Sequence, residues 1–242
     1  PMVNFKDQKE SPSTTLVSEF MILANKLTGK YFTLNDIPGV FRCYKDLPLG
    51  PQAFNSYSKL QQETKKGHTP DIQDIVKVSS LLNAGIYSSK PLPHKMIGAL
   101  SYLTVTSPLR RMPDLINHIQ LHRHLNQLDL AFTKEDIDSM LWNIQSRADI
   151  IKSLANTVSS YWTLKYLKDQ ISKTPEHKFE VMVTSYPFDG KVLCVFPEMS
   201  FARGCLKVPT DIRDPMIGSL VIYCKISKIV CLENNLDLEI GS

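Results

Sequence analysis

The sequence predicts an α+β chain in which a mainly helical part, residues 1–174, gives way to a small β-barrel over 175–242. Three observations predict this. Apolar residues recur at helical spacing as far as Lys173. At Thr174-Pro175 the period drops to two. Beyond that point four or five short alternating runs are joined by turn signals such as Phe188-Asp-Gly190.

The elements follow in order. The first ten residues are polar. Ser13-Thr14-Thr15 offers hydroxyl N-caps to a helix with Leu16, Phe20, Leu23, Ala24 and Leu27 on one face and Gly29 as its stop. Ile37 to Tyr44 reads as a short strand entered through a Pro-Gly turn. A second helix starts near Gln52 with Phe54, Tyr57 and Leu60 inward, and a third at Thr69-Pro70-Asp71. Ser88 to Pro93 is a loop, and Ser107-Pro108 opens the next helix, which runs to about Leu125. Thr133-Lys-Glu-Asp136 has capping-box form. After it Ile137, Leu141, Ile144, Ala148, Ile151, Ala155, Val158 and Trp162 step by fours and threes, which predicts one long amphipathic helix. Four strand runs follow, at Phe179–Val183, Val192–Phe196, Leu220–Ile226 and Leu236–Ile240.

Bulk properties narrow the function. The formal net charge of +4 fits a polyanion partner without demanding one. No apolar run reaches the roughly 18 residues of a membrane span, so no membrane partner is expected. Cys43, Cys194, Cys205, Cys224 and Cys231 show no C-x-x-C spacing, which argues for reduced thiols inside a cell and against zinc or a disulfide framework. The chain begins Pro1-Met2, which predicts a fragment of a longer protein.

The segment that carries chemistry is Thr104 to His118. Ser107 and Pro108 at a helix start would present unpaired N–H groups and a positive dipole end to a phosphate. Arg110 and Arg111 follow at once, and a guanidinium holds two phosphate oxygens together. The residues alone leave a second reading open, a solvated arginine pair on a surface helix.

The wording of the segment resembles the ribonuclease II (RNB) family, whose pattern is Tyr-x-x-x-Thr-Ser-Pro-Ile-Arg-Arg/Lys-Tyr-x-Asp-x-x-x-His. Tyr102, Thr106, Ser107, Pro108, Leu109, Arg110, Arg111, Asp114 and His118 follow it here. Pro91-Leu-Pro-His94 with Gly98 resembles the family's approach to this segment. Val17-Ser-Glu-Phe-Met-Ile-Leu-Ala-Asn25 resembles an upstream helix in the correct order. The resemblance covers most of the chain. It implies the C-terminal half of an RNB catalytic domain followed by an OB-fold RNA-binding domain of the S-one type.

It also implies a function: 3′→5′ hydrolysis of single-stranded RNA to nucleoside 5′-monophosphates. On this resemblance Arg110 is catalytic and holds the scissile phosphate. Glu19 contacts the sugars at the RNA 3′ end, with a helix-dipole role as the alternative. His94, Ser107 and Arg111 become RNA contacts, while Asp114 and His118 orient or cap. The family's Mg²⁺ is held by an aspartate run that is absent here, so its ligands are expected in an upstream part of the same protein and this fragment alone is expected to be inactive. Asp71 to Asp74 and Glu135 to Asp138 are the closest acidic groups, and both sit at helix starts. Met112 replaces the usual aromatic residue. That drift is similar to the fungal mitochondrial branch, which implies a matrix location and an RNA helicase partner in a degradosome-type complex. The competing readings are a non-catalytic RNA-binding scaffold with a degenerate domain, and a helical domain that contacts proteins.

Two other groupings were weighed on their residues. His118 and His122 lie at i, i+4, but position 119 is Ile rather than the Glu of a zinc helix, and no third ligand is evident. In the barrel, Lys191, Arg203 and Lys207, with Tyr186, Phe188 and Phe201, offer a charge-led RNA surface poor in stacking aromatics.

Overall fold

The structure is a computed structural model. It describes residues 11–44, 55, 57–60, 62–63, 66–67, 74–75, 85–184, 188–197, 199, 202–207, 221–233 and 235–240. Most of the segments expected to form the second and third helices lie outside these residues. The chain packs as two compact units, one built from 8–47 and 83–152, the other from 1–7, 48–82 and 153–242.

The first unit starts with α1 (Pro12–Leu34). Ser11 is its N-cap, with Oγ accepting from the Thr14 amide at 3.2 Å, two residues before the expected hydroxyl run. Two expectations for this helix are corrected. Leu16, Phe20, Leu23, Ala24 and Leu27 are exposed, and the buried line is Asn25, Gly29 and Phe32. Gly29 does not end the helix, which runs on to an Asn35 C-cap. A Cβ on Gly29 would lie 2.9 Å from the Ser101 carbonyl oxygen, so glycine here lets a second backbone cross the helix.

That second backbone belongs to a small ladder. Strands β1 (Phe41–Cys43) and β2 (Ile86–Ser88) pair antiparallel, Phe41 bridges to Leu103, and the Arg42 amide donates to the Tyr102 carbonyl at 2.8 Å. Phe32, Ile37, Phe41 and Leu103 form one apolar cluster. Val40, Ile116, Ile137 and Ile144 form another beneath helix α2 (Met112–Leu125) and the start of helix α3 (Lys134–Lys173).

Helix α3 opens with the expected reciprocal cap. The Asp136 amide donates to Thr133 Oγ1 at 3.1 Å, and the Thr133 amide donates to the Asp136 carboxylate at 2.8 Å. The single buried stripe expected along it is corrected. Ile137 and Ile144 are buried in the first unit and Leu164 and Leu167 in the second, while every residue from 149 to 159 is exposed.

In the second unit β3 (Phe179–Val183), β4 (Lys191–Phe196), β5 (Ala202–Lys207), β6 (Val221–Val230) and β7 (Asn235–Ile240) close a barrel in the order β3-β4-β5-β7-β6. All pairs are antiparallel except β5 with β7. This is the OB-fold arrangement. Phe188, Asp189, Gly190 and Lys191 make the tight turn before β4, with positive φ at Asp189 (50°) and Gly190 (66°), as the Asp-Gly pair demands. Strand β5 was not among the expected runs. Gly204 interrupts its alternation, and its missing side chain makes room for Leu238, 2.9 Å from where a Cβ would sit. Cys194 and Cys224 are buried in the core, where burial pushes their thiols up to about 12 and about 11. They behave as small hydrophobes.

Two outcomes test this description. Gly29→Ala raises helix propensity but forces Cβ against the Ser101 backbone, so urea unfolding should show a loss of about 1–3 kcal/mol. Hydrogen bonds from Thr133 hold the Asp136 carboxyl below its ordinary value. Its capping contribution is therefore complete above the ordinary carboxylate pKa of about 3.9 and is lost as pH falls through the folded value. Amide exchange in the first turn of α3, corrected for intrinsic rate, should speed up on acidification.

Candidate functional site

The site grows from one buried carboxylate. Asp114 stands in the first turn of α2, fully buried. One oxygen accepts from Thr104 Oγ1 at 2.8 Å; the other accepts from the Ser107 amide and from Arg111 Nη2, both at 2.8 Å. Arg111 Nη2 also reaches Thr106 Oγ1 at 3.1 Å. A single side chain therefore gathers residues 104 to 111 into one loop.

This corrects the expected helix start. Residues 108–110 form a turn in which the Arg110 and Arg111 amides donate to the Ser107 carbonyl, and α2 begins only at Met112, with Arg111 as N-cap. The Ser107 amide, expected to be open to a phosphate, is already bound by Asp114. The Asp114 carboxylate outcompetes continuation of the helix because it is buried and charged, and so needs all its hydrogen bonds.

Two more polar residues follow Asp114 down the same buried face. Asn117 accepts from the Val40 amide at 2.8 Å and donates to the carbonyls of Val40 and Thr104 at 3.1 and 2.9 Å. Gln120 donates to the Pro38 and Phe132 carbonyls and accepts from the Ala131 and Phe132 amides. Both are fully buried. Opposite them, Asn25 of α1 accepts from the Val105 amide and donates to Tyr102 Oη, each at 2.9 Å. His118 Nε2 meets the Val105 carbonyl at 2.6 Å, so it does not pair with Asp114.

Asn117 and Gln120 escaped the sequence reading. The signal was there, since Asp114, Asn117 and Gln120 repeat every third residue, but polar residues at that spacing ordinarily mark a solvated face. Asn25 was seen only as the end of a motif.

The expected site residues fall as follows. Arg110 is exposed, and among the described residues its guanidinium makes no hydrogen bond or ion pair. Ser107 and Arg111 flank it and are tied to Asp114. Glu19 is exposed on α1, six residues before Asn25. His94 is buried between Tyr44 and Tyr102, with ring centroids 5.7 and 5.2 Å away. Burial, and then the charge of Arg42, lowers its pKa, and its Nδ1 has no hydrogen-bond partner. Lys191, Arg203 and Lys207 are exposed on the barrel, in the other unit. Lys191 and Lys207 are register partners on β4 and β5, and Lys207 pairs with Glu239 at 3.6 Å. Among the described residues no group of three or more His, Cys, Asp or Glu side chains could hold a metal ion, and no helix is long and apolar enough to cross a membrane.

Comparison with known proteins adds a context to this geometry. Residues 1–127 match the RNB domain. The mitochondrial exoribonuclease II of Saccharomyces cerevisiae is 58% identical over 238 residues, which is 98% of this chain and 25% of the yeast protein. Ribonuclease R of Thermotoga maritima is 25% identical over 225 residues, 83% of this chain and 31% of that one. Among solved structures, an active-site mutant of the Dss1 exoribonuclease of Candida glabrata superposes with a TM-score of 0.87 at 48% identity, covering 99% of this chain and 30% of that chain. Mycoplasma genitalium RNase R in complex with ribose-methylated single-stranded RNA has the same fold, with a TM-score of 0.68 at 18% identity, over 97% of this chain and 42% of that one.

The ion pair predicts its own test. Asp114→Ala strands Arg111 and unties the loop, so chemical denaturation should show a loss of about 3–5 kcal/mol. Thr104→Val removes one neutral donor and should cost about 1 kcal/mol.

Proposed function

We propose that this chain, which belongs to the RNB domain family, supplies the phosphate-gripping side of a 3′→5′ exoribonuclease acting on single-stranded RNA. The observation that carries the reading is Arg110. It is an exposed guanidinium without a partner among the described residues, held between two neighbours that Asp114 immobilises. A cation fixed at its base and free at its head is arranged to receive an anion and not to complete an internal ion pair.

In this reading Arg110 contacts the non-bridging oxygens of the scissile phosphate and stabilises the charge that grows there. Ser107 and Arg111 hold the loop's shape around it, and Arg111 turns toward RNA only in so far as its remaining nitrogens allow. Glu19 meets the sugars of the 3′-terminal nucleotides and His94 backs the approach segment. Lys191, Arg203 and Lys207 guide the strand across the barrel. Hydrolysis to nucleoside 5′-monophosphates is assigned to the whole protein. RNB exoribonucleases depend on divalent metal, and in this reading the Mg²⁺ ligands belong to another part of the whole protein. Likeness to the yeast mitochondrial enzyme supports a mitochondrial protein, in the matrix, and the fungal resemblance supports an RNA helicase partner in a degradosome-type complex.

The test is kinetic and uses the whole protein. Arg110→Ala should lower turnover of an RNA with a 3′ hydroxyl by about 10²–10³-fold, with a much smaller change in RNA affinity. Equal losses in both would make Arg110 an anchor only.

A further inference from the structure

Helix α2 carries a feature that the reading above does not use. Its outer surface forms a solvent-open groove of about 380 Å³, lined among the described residues by His118, Ile119, His122 and Arg123. These positions, i, i+1, i+4 and i+5, share one side of the helix. Two of the three polar side chains are anchored from behind. His118 Nε2 donates to the Val105 carbonyl, which can only accept, so the ring is locked and its Nδ1 is spared. Arg123 Nε donates to the Asp129 carbonyl, and its two terminal amino groups keep their donors. His122 is exposed and free to turn. The neighbouring His124 does not join them, because its ring packs edge-on against Tyr31 at 5.7 Å.

We propose that this groove is a second phosphate-binding site for the RNA strand that Arg110 engages. The chemistry favours an anion. Arg123 is a permanent cation with its fork already oriented, so little side-chain freedom is lost when it binds. His122 adds a ring N–H at the rim. Two histidines without a third ligand do not make a metal site. Ten residues of α2 separate Met112 from His122, about 15 Å along the axis from the helix end that the Arg110 loop precedes. The inference rests on the proposed function, since it needs an RNA strand at Arg110.

The experiment measures binding of a single-stranded RNA with a 3′ hydroxyl to the whole protein by fluorescence anisotropy across a salt series, without Mg²⁺. Arg123→Gln and His122→Ala should each weaken binding, by about tenfold for Arg123→Gln and less for His122→Ala. Arg123→Gln should also reduce the slope of log affinity against log salt by about 0.7, the signature of one lost single-strand phosphate contact. The exposed His122 keeps the test valid if Arg123→Gln lowers the unfolding midpoint. Unchanged affinity and slope in both variants overturn the inference, and if Arg110→Ala still abolishes turnover the parent reading stands. Variants that lose only thermal stability show a purely structural groove and overturn it as well. A wild-type protein that binds no RNA overturns both.

Discussion

The burial of the Asp114 carboxylate constrains everything around it. A charged group with no exposure is tolerable only if each lone-pair direction is answered, and here Thr104, Ser107 and Arg111 answer it. That requirement dictates where α2 begins, how the preceding loop turns, and why Arg110 faces outward while Arg111 does not. Asn117 and Gln120 extend the same logic along the helix. Each closes a set of backbone groups that would otherwise be orphaned in the interior, at Val40, Thr104, Pro38, Ala131 and Phe132. The face of α2 that meets the core is thus partly polar, with Asp114, Asn117 and Gln120 beside Pro113 and Ile116, and the polar part takes its specificity from hydrogen bonds with fixed partners.

Where local chemistry decides the outcome, the sequence was readable. The Thr133–Asp136 cap, the Asp189-Gly190 turn, the long helix ending at Lys173 and four of the five barrel strands all follow from neighbours within a few residues. The failures share a different cause. Ser107-Pro108 looks like a helix start, and only a carboxylate seven residues on prevents it. Gly29 looks like a helix stop, and only a backbone from residue 101 gives it another task. The apolar side of α1 looks like a core face, and the core lies on the other side, at Asn25, Gly29 and Phe32. In each case a contact from beyond the adjacent residues overrode a local preference. The arginine of the candidate site was legible because a motif named it. The residues that hold it in place were not, since polar side chains at helical spacing give no hint that they are buried.

The two units divide the chemistry differently. The first commits its polar side chains to holding one loop. The barrel keeps polar groups outside and buries two of its thiols; Cys194 and Cys224 stay protonated, and Cys194 donates to the Gly204 carbonyl at 3.3 Å. Its exposed cations are partly answered, Lys207 by Glu239 and Lys225 by Glu176. Arg110, by contrast, shares its charge with no carboxylate among the described residues.

The polar clamp also has a consequence for how the protein tolerates change over evolutionary time. Its bonds join residues 77 to 82 apart in sequence: Asn25 with Tyr102, Val40 with Asn117, Pro38 with Gln120. Bringing such distant segments together costs chain entropy that grows only with the logarithm of the loop, about 0.6 kcal/mol for each doubling. The length of chain between the joined segments therefore weighs little on the clamp, while a shift of one residue between Thr104 and Gln120 would turn every clamp side chain to the wrong azimuth. The clamp thus holds the stretch from Thr104 to Gln120 to a strict residue count.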